Sequence, residues 1–169
     1  LLLEFGGHDF AAGLTLREEN IPAFQERFND VVGAMITGDM LKPAIEVDAP
    51  LDLGEIDQRF WKVLKQFAPF GPENDCPVFQ ATDLELASQP RTVGRDGAHL
   101  KFSVRQRGRY DGMDVIGFSM GDYLPVLHAS RQNGQPLELL FSVDENAWNG
   151  RTALQLKARD LRLSGGDGG

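Results

Sequence analysis

Apolar residues recur at three- and four-residue steps in two segments of the first half of the chain. The first segment begins at Asn20, which suits a helix N-cap, and Pro22 lies where a first turn tolerates a missing N–H. Its repeated apolar positions are Ile21, Phe24, Phe28, Val31, Val32 and Met35. The second segment begins at Asp52, with Glu55 as its capping-box partner. Its apolar stripe is Ile56, Phe60, Leu64 and Phe67, and this period predicts two amphipathic helices.

The residues between and after these helices predict a short strand and a hinge. Positions 44–48 alternate apolar with acidic residues, as a half-exposed strand does. Positions 68–77 contain three prolines and a glycine, which excludes a regular element there. Phe70 lies between two of these prolines. We therefore expect an ordered loop that is pinned to a neighbouring surface rather than a plain linker.

The second half of the chain has the pattern of short strands separated by turn residues. The predicted strands are 78–86, 99–107, 113–119, 137–143 and 152–161. In the clearest of them, Leu100, Phe102 and Val104 alternate with Lys101, Ser103 and Arg105, so one set faces inward and the other outward. A short helical segment at 122–128 follows the third strand. This order indicates a Greek-key barrel of the oligonucleotide-binding (OB) type, and a five-stranded barrel of another topology is the alternative.

Charge is distributed unevenly, and this changes what the net charge of −8 implies. Residues 1–77 contain 14 acidic and 6 basic residues, whereas residues 78–169 contain 11 of each. The acidity that disfavours a polyanionic partner therefore belongs to the first half. In the second half we expect a basic nucleic-acid-binding surface. Its candidate residues are Arg95, Lys101, Arg105 and Arg107, against the alternative of an ordinary solvated strand face.

Other features narrow the class of protein. Cys76 is the one cysteine, which excludes an internal disulfide and leaves no Cys/His set spaced for structural zinc. No apolar run approaches the roughly 20 residues of a membrane helix, and no signal-peptide pattern is present. We expect a cytoplasmic protein without a membrane partner. The chain begins with Leu1 and reaches a dense glycine motif at once, so we also expect that an upstream part is missing.

The densest candidate site is the string Gly6-Gly7-His8-Asp9-Phe10-Ala11-Ala12-Gly13. Adjacent glycines permit a tight turn that brings backbone N–H groups close to a ligand, and small residues after them permit a helix start to pack closely. His8 adds a side-chain donor for a phosphoryl oxygen. From the residues alone, a glycine turn followed by a capping or core histidine is the alternative.

The string Gly-Gly-His-x-x-Ala-Ala-Gly is similar to the signature of the DHH-associated domain, the substrate-binding partner of the DHH phosphoesterases. Residues 67–74 with Pro77-Val78-Phe79 resemble the join between that domain and a C-terminal barrel in the RecJ family of single-stranded-DNA exonucleases. The barrel of that family is also resembled by His99-Leu100-Lys101, Glu145-Asn146, Trp148, Gly150 and Leu154-Gln155-Leu156.

The resemblance implies an α+β chain: the C-terminal part of a DHH-associated α/β domain at 1–76, a five-stranded OB-like barrel at 77–164 and a disordered tail at 165–169. It implies that Gly6, Gly7 and His8 hold a substrate phosphate beside a metal site in a separate N-terminal DHH domain. In that domain Mn²⁺ or Mg²⁺ activates the attacking water. No Asp-His-His triplet occurs in this sequence. We therefore expect no catalytic residue, metal ligand or cofactor in this chain, which alone should be inactive.

The implied parent is a 5′ to 3′ single-stranded-DNA exonuclease of DNA repair and recombination. Its partners would be single-stranded DNA, the DHH domain of the same parent chain and, as a further candidate, a single-strand-binding protein. Two alternatives stay open on the residues. The barrel could dock a protein, or the chain could be the substrate domain of a phosphoesterase that acts on small nucleotides.

Overall fold

A computed structural model describes residues 1–8, 11–41, 44–148 and 150–165. The chain divides into two compact units, Leu1–Ile45 and Glu46–Gly169. This division differs from the predicted boundary between residues 76 and 77. The reason is that Leu53, Ile56 and Leu64 are buried in the same core as the strands of the second unit. The predicted tail, 165–169, lies outside the described residues except for Gly165.

The first unit contains a β-hairpin and one long helix. Strands β1 (Leu2–His8) and β2 (Ala11–Leu16) pair in antiparallel orientation, and helix α1 follows at Ile21–Met35. The predicted first helix is therefore confirmed, with Asn20 at its N-cap. None of the residues with a described exposure in this unit is buried, and Phe5 is 82% exposed. The apolar stripe thus predicted the helix correctly, but none of the residues of this stripe is buried.

The expected local structure of the glycine motif is wrong. Gly6, Gly7 and His8 form the end of β1 and pair with Gly13, Ala12 and Ala11, so the small residues begin a strand rather than a helix. Residues 9 and 10 of the motif lie outside the described residues. The close approach of the two strands explains the glycine at position 7. A Cβ on Gly7 would lie 2.6 Å from the carbonyl oxygen of Ala11.

The second unit begins with elements that precede the barrel. Residues 44–48 do not form the expected strand. The two residues that follow them form strand β3 (Ala49–Pro50), which pairs in parallel with the strand that begins at Phe79. Asp52 and Glu55 form the expected capping box, but they cap a single turn of 3-10 helix at Leu53–Glu55. Helix α2 begins later, at Gln58–Leu64, because the Asp57 carboxylate accepts hydrogen bonds from the N–H groups of residues 59 and 60.

The hinge after α2 is ordered, as expected. The Asn74 side-chain amide donates hydrogen bonds to the carbonyl oxygens of Phe67 (2.9 Å) and Pro69 (2.8 Å). Gly71 and Asn74 form a bridge between them. One asparagine therefore closes the proline-rich loop upon itself, and the loop delivers the chain to the barrel at Phe79.

The barrel contains the five expected strands. They are β4 (Phe79–Leu86), β6 (His99–Gln106), β7 (Gly112–Gly117), β8 (Leu137–Trp148) and β9 (Arg151–Leu163). A three-residue strand, β5 (Arg91–Val93), was not predicted and pairs with β6. The sheet order is β3-β4-β8-β9-β7-β6-β5, and a further pairing of β4 with β6 closes it. The barrel pairing of β7 with β9 is parallel and the others are antiparallel.

This closed order, with a helix after the third barrel strand, is the OB topology. Helix α3 occupies Leu124–Asn133, longer than the expected segment. The helix ends at Asn133, since Gly134 has a φ of 64° and caps it in the left-handed conformation. No described helix combines the length and the apolar character that crossing a bilayer requires.

The core of the barrel follows the period-2 pattern. Leu100, Phe102 and Val104 are at most 2% exposed, which confirms the expected inward set of β6. The same buried cluster includes Leu84, Val115, Phe141 and Leu156, all at 0% exposure. Because alternate residues of β6 are locked in this core, the residues between them must face outward.

Candidate nucleic-acid interface

The outer face of β5, β6 and β7 presents side chains in rows that the strand register defines. In one row Arg91 pairs with Lys101, and Lys101 pairs with Ile116. Lys157 of β9 extends this row beyond Ile116. In the OB architecture the faces of the second and third barrel strands bind oligonucleotides, and these strands are β6 and β7 here. The row therefore places two cations, Arg91 and Lys101, side by side where a strand of nucleic acid is expected.

An aromatic pair lies in the next row of the same face. Val93 pairs with His99, and the His99 and Phe118 rings meet edge to face at a centroid distance of 5.2 Å. Phe118 is 55% exposed and therefore does not belong to the core. Strand parity explains this exposure. Val115 and Gly117 point inward on β7, and Phe118 consequently points outward.

His99, the first residue of β6, makes a structural hydrogen bond with the backbone. Its Nδ1 accepts a hydrogen bond from the N–H of Ser119 at 3.1 Å. This hydrogen bond holds the ring in one orientation beside Phe118. A Cβ on Gly94 would lie 2.8 Å from the His99 ring, so the turn before β6 packs closely on its other side.

Arg95 lies in the exposed turn between β5 and β6. The turn comprises Arg95–Gly97, with Gly94 and Asp96 at positive φ values of 84° and 59°. It is tied to the barrel by the N–H of Gly121, which donates to the Ala98 carbonyl oxygen at 3.1 Å. Arg95 therefore belongs to the turn that directly precedes β6, the strand that carries Lys101.

Arg105 and Arg107, the other two predicted nucleic-acid-binding residues, form ion pairs with the acidic side chains of β4. Nη2 of Arg105 lies 3.2 Å from Oε2 of Glu85, and Nε of Arg107 lies 3.2 Å from Oε1 of the same carboxylate. Arg107 also lies 3.8 Å from Asp83. Register causes the first pairing, since Glu85 and Arg105 are direct neighbours on adjacent strands. Of the predicted cations, Arg105 and Arg107 are therefore paired with carboxylates of the neighbouring strand.

Glu145, from the motif Glu145-Asn146, contributes to packing rather than to this face. Its carboxylate accepts a hydrogen bond from the Lys65 ammonium at 3.0 Å, and this bond lowers the pKa of Glu145. Lys65 also lies 5.4 Å from the centre of the Trp61 ring. The residues after α2 are thereby attached to β8.

The glycine motif exposes Gly6, Gly7 and His8 at the end of β1. No group of three or more His, Cys, Asp or Glu side chains in the described part of the chain is arranged to hold a metal ion. The described residues therefore do not fit a manganese or magnesium centre.

A family model described as the RecJ OB domain matches residues 47–160. The chain belongs to the RecJ OB-domain family. The match begins close to the start of the second compact unit and includes strands β4 to β8 and β9 as far as residue 160. The matched range also contains helix α3, which lies between β7 and β8 in the chain.

Relatives of the RecJ family match nearly the whole chain. Proteins named single-stranded-DNA-specific exonuclease RecJ are 27% identical in Bacillus subtilis over 97% of the chain, and 31% identical in Dickeya dadantii over 95%. The chain covers 20% and 27% of these relatives, about a fifth to a quarter of their length. A solved structure, RecJ of Thermus thermophilus in complex with Mn²⁺, superposes with a TM-score of 0.68 at 28% identity. The superposition covers 96% of this chain and 22% of that one.

Three residues of the outer face were not among the predicted contacts. Arg91 belongs to the basic stretch of the sequence but was not placed on the face because β5 was not predicted, and Phe118 was left out because an apolar residue there is typical of a core. Lys157 was missed because its strand, β9, joins β7 through a parallel pairing that no local pattern reveals. Parity from Val115 would have identified Phe118, whereas Arg91 and Lys157 required the register.

Proposed function

We propose that this chain is the substrate-binding region of a 5′ to 3′ single-stranded-DNA exonuclease of DNA repair and recombination. Its barrel holds single-stranded DNA, and the metal-dependent hydrolysis takes place in a DHH domain of the parent protein. The proposal is supported by membership of the RecJ OB-domain family and by the names of the matched relatives. Protein docking and small-nucleotide hydrolysis are not favoured by any of these similarities.

The observation that carries the proposal is the outer face of β6 and β7. A sequence-tolerant single-strand site needs cations for the phosphates and an exposed aromatic ring for a base. Lys101 and Arg91 supply neighbouring cations, Arg95 lies in the adjoining turn, and Phe118 supplies the ring. Arg105 and Arg107, the other two predicted contacts, lie at the far end of β6 and form ion pairs with Glu85 and Asp83.

A salt titration tests the barrel's role. The chain is titrated into a fluorescently labelled single-stranded oligonucleotide, and anisotropy is measured at several salt concentrations. Binding that weakens linearly on a log–log plot, with a slope of about −0.7 for each phosphate contact, supports a single-strand site. Absence of binding at the lowest salt concentration contradicts it and favours protein docking. Affinity that does not increase from a mononucleotide to an oligonucleotide favours the small-nucleotide alternative.

We further propose that Gly6, Gly7 and His8 bind a substrate phosphate beside the metal site of the DHH domain. The support is the similarity of the motif together with its exposure at the end of β1. The Thermus thermophilus relative has been solved with Mn²⁺ and with Mg²⁺, which are the metals we propose for the parent. In the full-length enzyme, His8→Ala should lower turnover and leave the metal content unchanged. Loss of metal instead would make His8 a ligand.

The remaining assignments complete this proposal. We assign the DHH-associated part to residues 1–45, because the residues from 46 onward form the unit that contains the barrel. The predicted range 1–76 would cut through the buried core at Leu53, Ile56 and Leu64. The proposed location is the cytoplasm, and a single-strand-binding protein is the proposed additional partner.

A further inference from the structure

The outer face of the barrel has two halves of different electrostatic character. One half contains Arg91 and Lys101, for which the described residues provide no ion-pair partner, together with the exposed Phe118 ring. In the other half every outward polar group of β6 is already bound within the protein. Ser103 donates a hydrogen bond to the Asp114 carboxylate at 2.7 Å, and Arg105 and Arg107 share Glu85.

We infer that single-stranded nucleic acid occupies only the Arg91–Lys101–Phe118 half, and that Glu85 excludes Arg105 and Arg107 from the binding surface. This inference rests on the proposed function. It adds a base-stacking position at Phe118, a phosphate contact at Arg91 and a residue, Glu85, that limits the footprint of the strand.

The stacking position follows from the geometry of the aromatic pair. The His99 and Phe118 rings meet at an interplanar angle of 72°, so they are not stacked face to face, and Phe118 keeps exposed area for a base. More than half of Phe118 is exposed to solvent, although exposure of an apolar ring to water is unfavourable. A base stacked on it buries apolar area and has cations one row away for its flanking phosphates.

The exclusion follows from competition for the same donors. Nε and Nη2 of Arg105 are directed at Oε2 of Glu85, at 3.3 Å and 3.2 Å. Nε of Arg107 is directed at the other oxygen at 3.2 Å. A phosphate that bound either arginine would have to displace Glu85 or be repelled by it and by Asp83. The two arginines therefore stabilise the β4–β6 pairing instead of binding a polyanion.

The test uses the 169-residue chain, a labelled thymidylate oligonucleotide of about 12 nucleotides, within the range that one OB fold covers, and anisotropy at several salt concentrations. Phe118→Ala should weaken binding by roughly 5- to 150-fold, and Phe118→Leu should also weaken it because it keeps the apolar area but not the ring. Tyr110→Ala is the matched aromatic control, since Tyr110 is 98% exposed at the other end of β6, and it should bind as the unmodified chain does.

The salt dependence of binding distinguishes the arginines that contact phosphate from those that do not. Arg91→Gln should reduce the steepness of the log–log slope by about 0.7, whereas Arg105→Gln should leave it unchanged. Glu85→Gln should increase both the affinity and the steepness, because it releases arginines for phosphate binding. Tryptophan fluorescence and thermal unfolding of each variant establish that the barrel remains folded.

Three results would overturn the inference while leaving the proposed function intact. The first is unchanged oligonucleotide affinity in the folded Phe118→Ala variant. The second is an equal reduction of the salt-dependence slope in Arg105→Gln and Arg91→Gln, and the third is no increase in affinity in Glu85→Gln. If the unmodified chain fails to bind at low salt, the proposed function itself is refuted.

Discussion

Gly121 is the position where a single methyl group should disturb the barrel most directly. An added Cβ would lie 2.3 Å from the carbonyl oxygen of Gly97. Ordinary contacts begin near 3.4 Å, so the two backbone segments would have to separate by about 1 Å. Neither atom belongs to a side chain that can rotate away. The N–H of Gly121 also donates to the Ala98 carbonyl oxygen, and that hydrogen bond opposes the separation.

We therefore expect Gly121→Ala to lower the free energy of unfolding of the second unit by about 1–3 kcal/mol, the usual cost of overpacking. For a chain of this size the unfolding midpoint should fall by roughly 2–12 °C. Tryptophan fluorescence is a suitable probe because both tryptophans, Trp61 and Trp148, belong to this unit. The turn that moves carries Arg95, so oligonucleotide affinity should decrease as well.

Gly71→Ala is the matched control. Gly71 has no atom within 4 Å of an added Cβ, and its φ is not positive. The same chemical change should therefore alter the unfolding free energy by no more than about 0.5 kcal/mol. If Gly121→Ala proved as stable as Gly71→Ala, the close packing of the 94–98 turn against the 3-10 turn Gly121–Tyr123 would be refuted.

Two further predictions concern the barrel. The Tyr123 hydroxyl donates to Asp160 at 2.9 Å, and this bond raises the pKa of Tyr123. The stability that this hydrogen bond contributes should be fully present below about pH 10 and should be lost as the pH rises through the higher folded-state pKa. In that pH range the free energy of unfolding, measured by urea denaturation, should therefore fall more for the native chain than for Tyr123→Phe. An identical decline in both would contradict this. Phe141→Ala removes a ring that is 0% exposed and should cost about 3–5 kcal/mol in the same assay, so a loss below about 1 kcal/mol would exclude a packed core at this position.

Local patterns in the sequence were sufficient for much of the fold. The period of α1 and the alternation along β6 depend on one element at a time, and both were predicted with nearly correct bounds. The order of five strands and one helix indicated the OB topology, which the closed sheet and the family match confirm. The glycine motif pointed to the family, although its residues form a hairpin rather than a turn and a helix start.

The tertiary structure decided which residues share a surface and which charges remain available. Glu85 and Arg105 are far apart in the sequence and become neighbours only through the register of β4 with β6. Arg91, Lys101 and Ile116 form one row only because three strands align. For β6 the sequence determined the inward and outward sets, because burial imposes a period of two on a half-buried strand. It could not determine the pairing between strands, because that depends on how the whole barrel closes, and an arginine's role depends on what lies across from it.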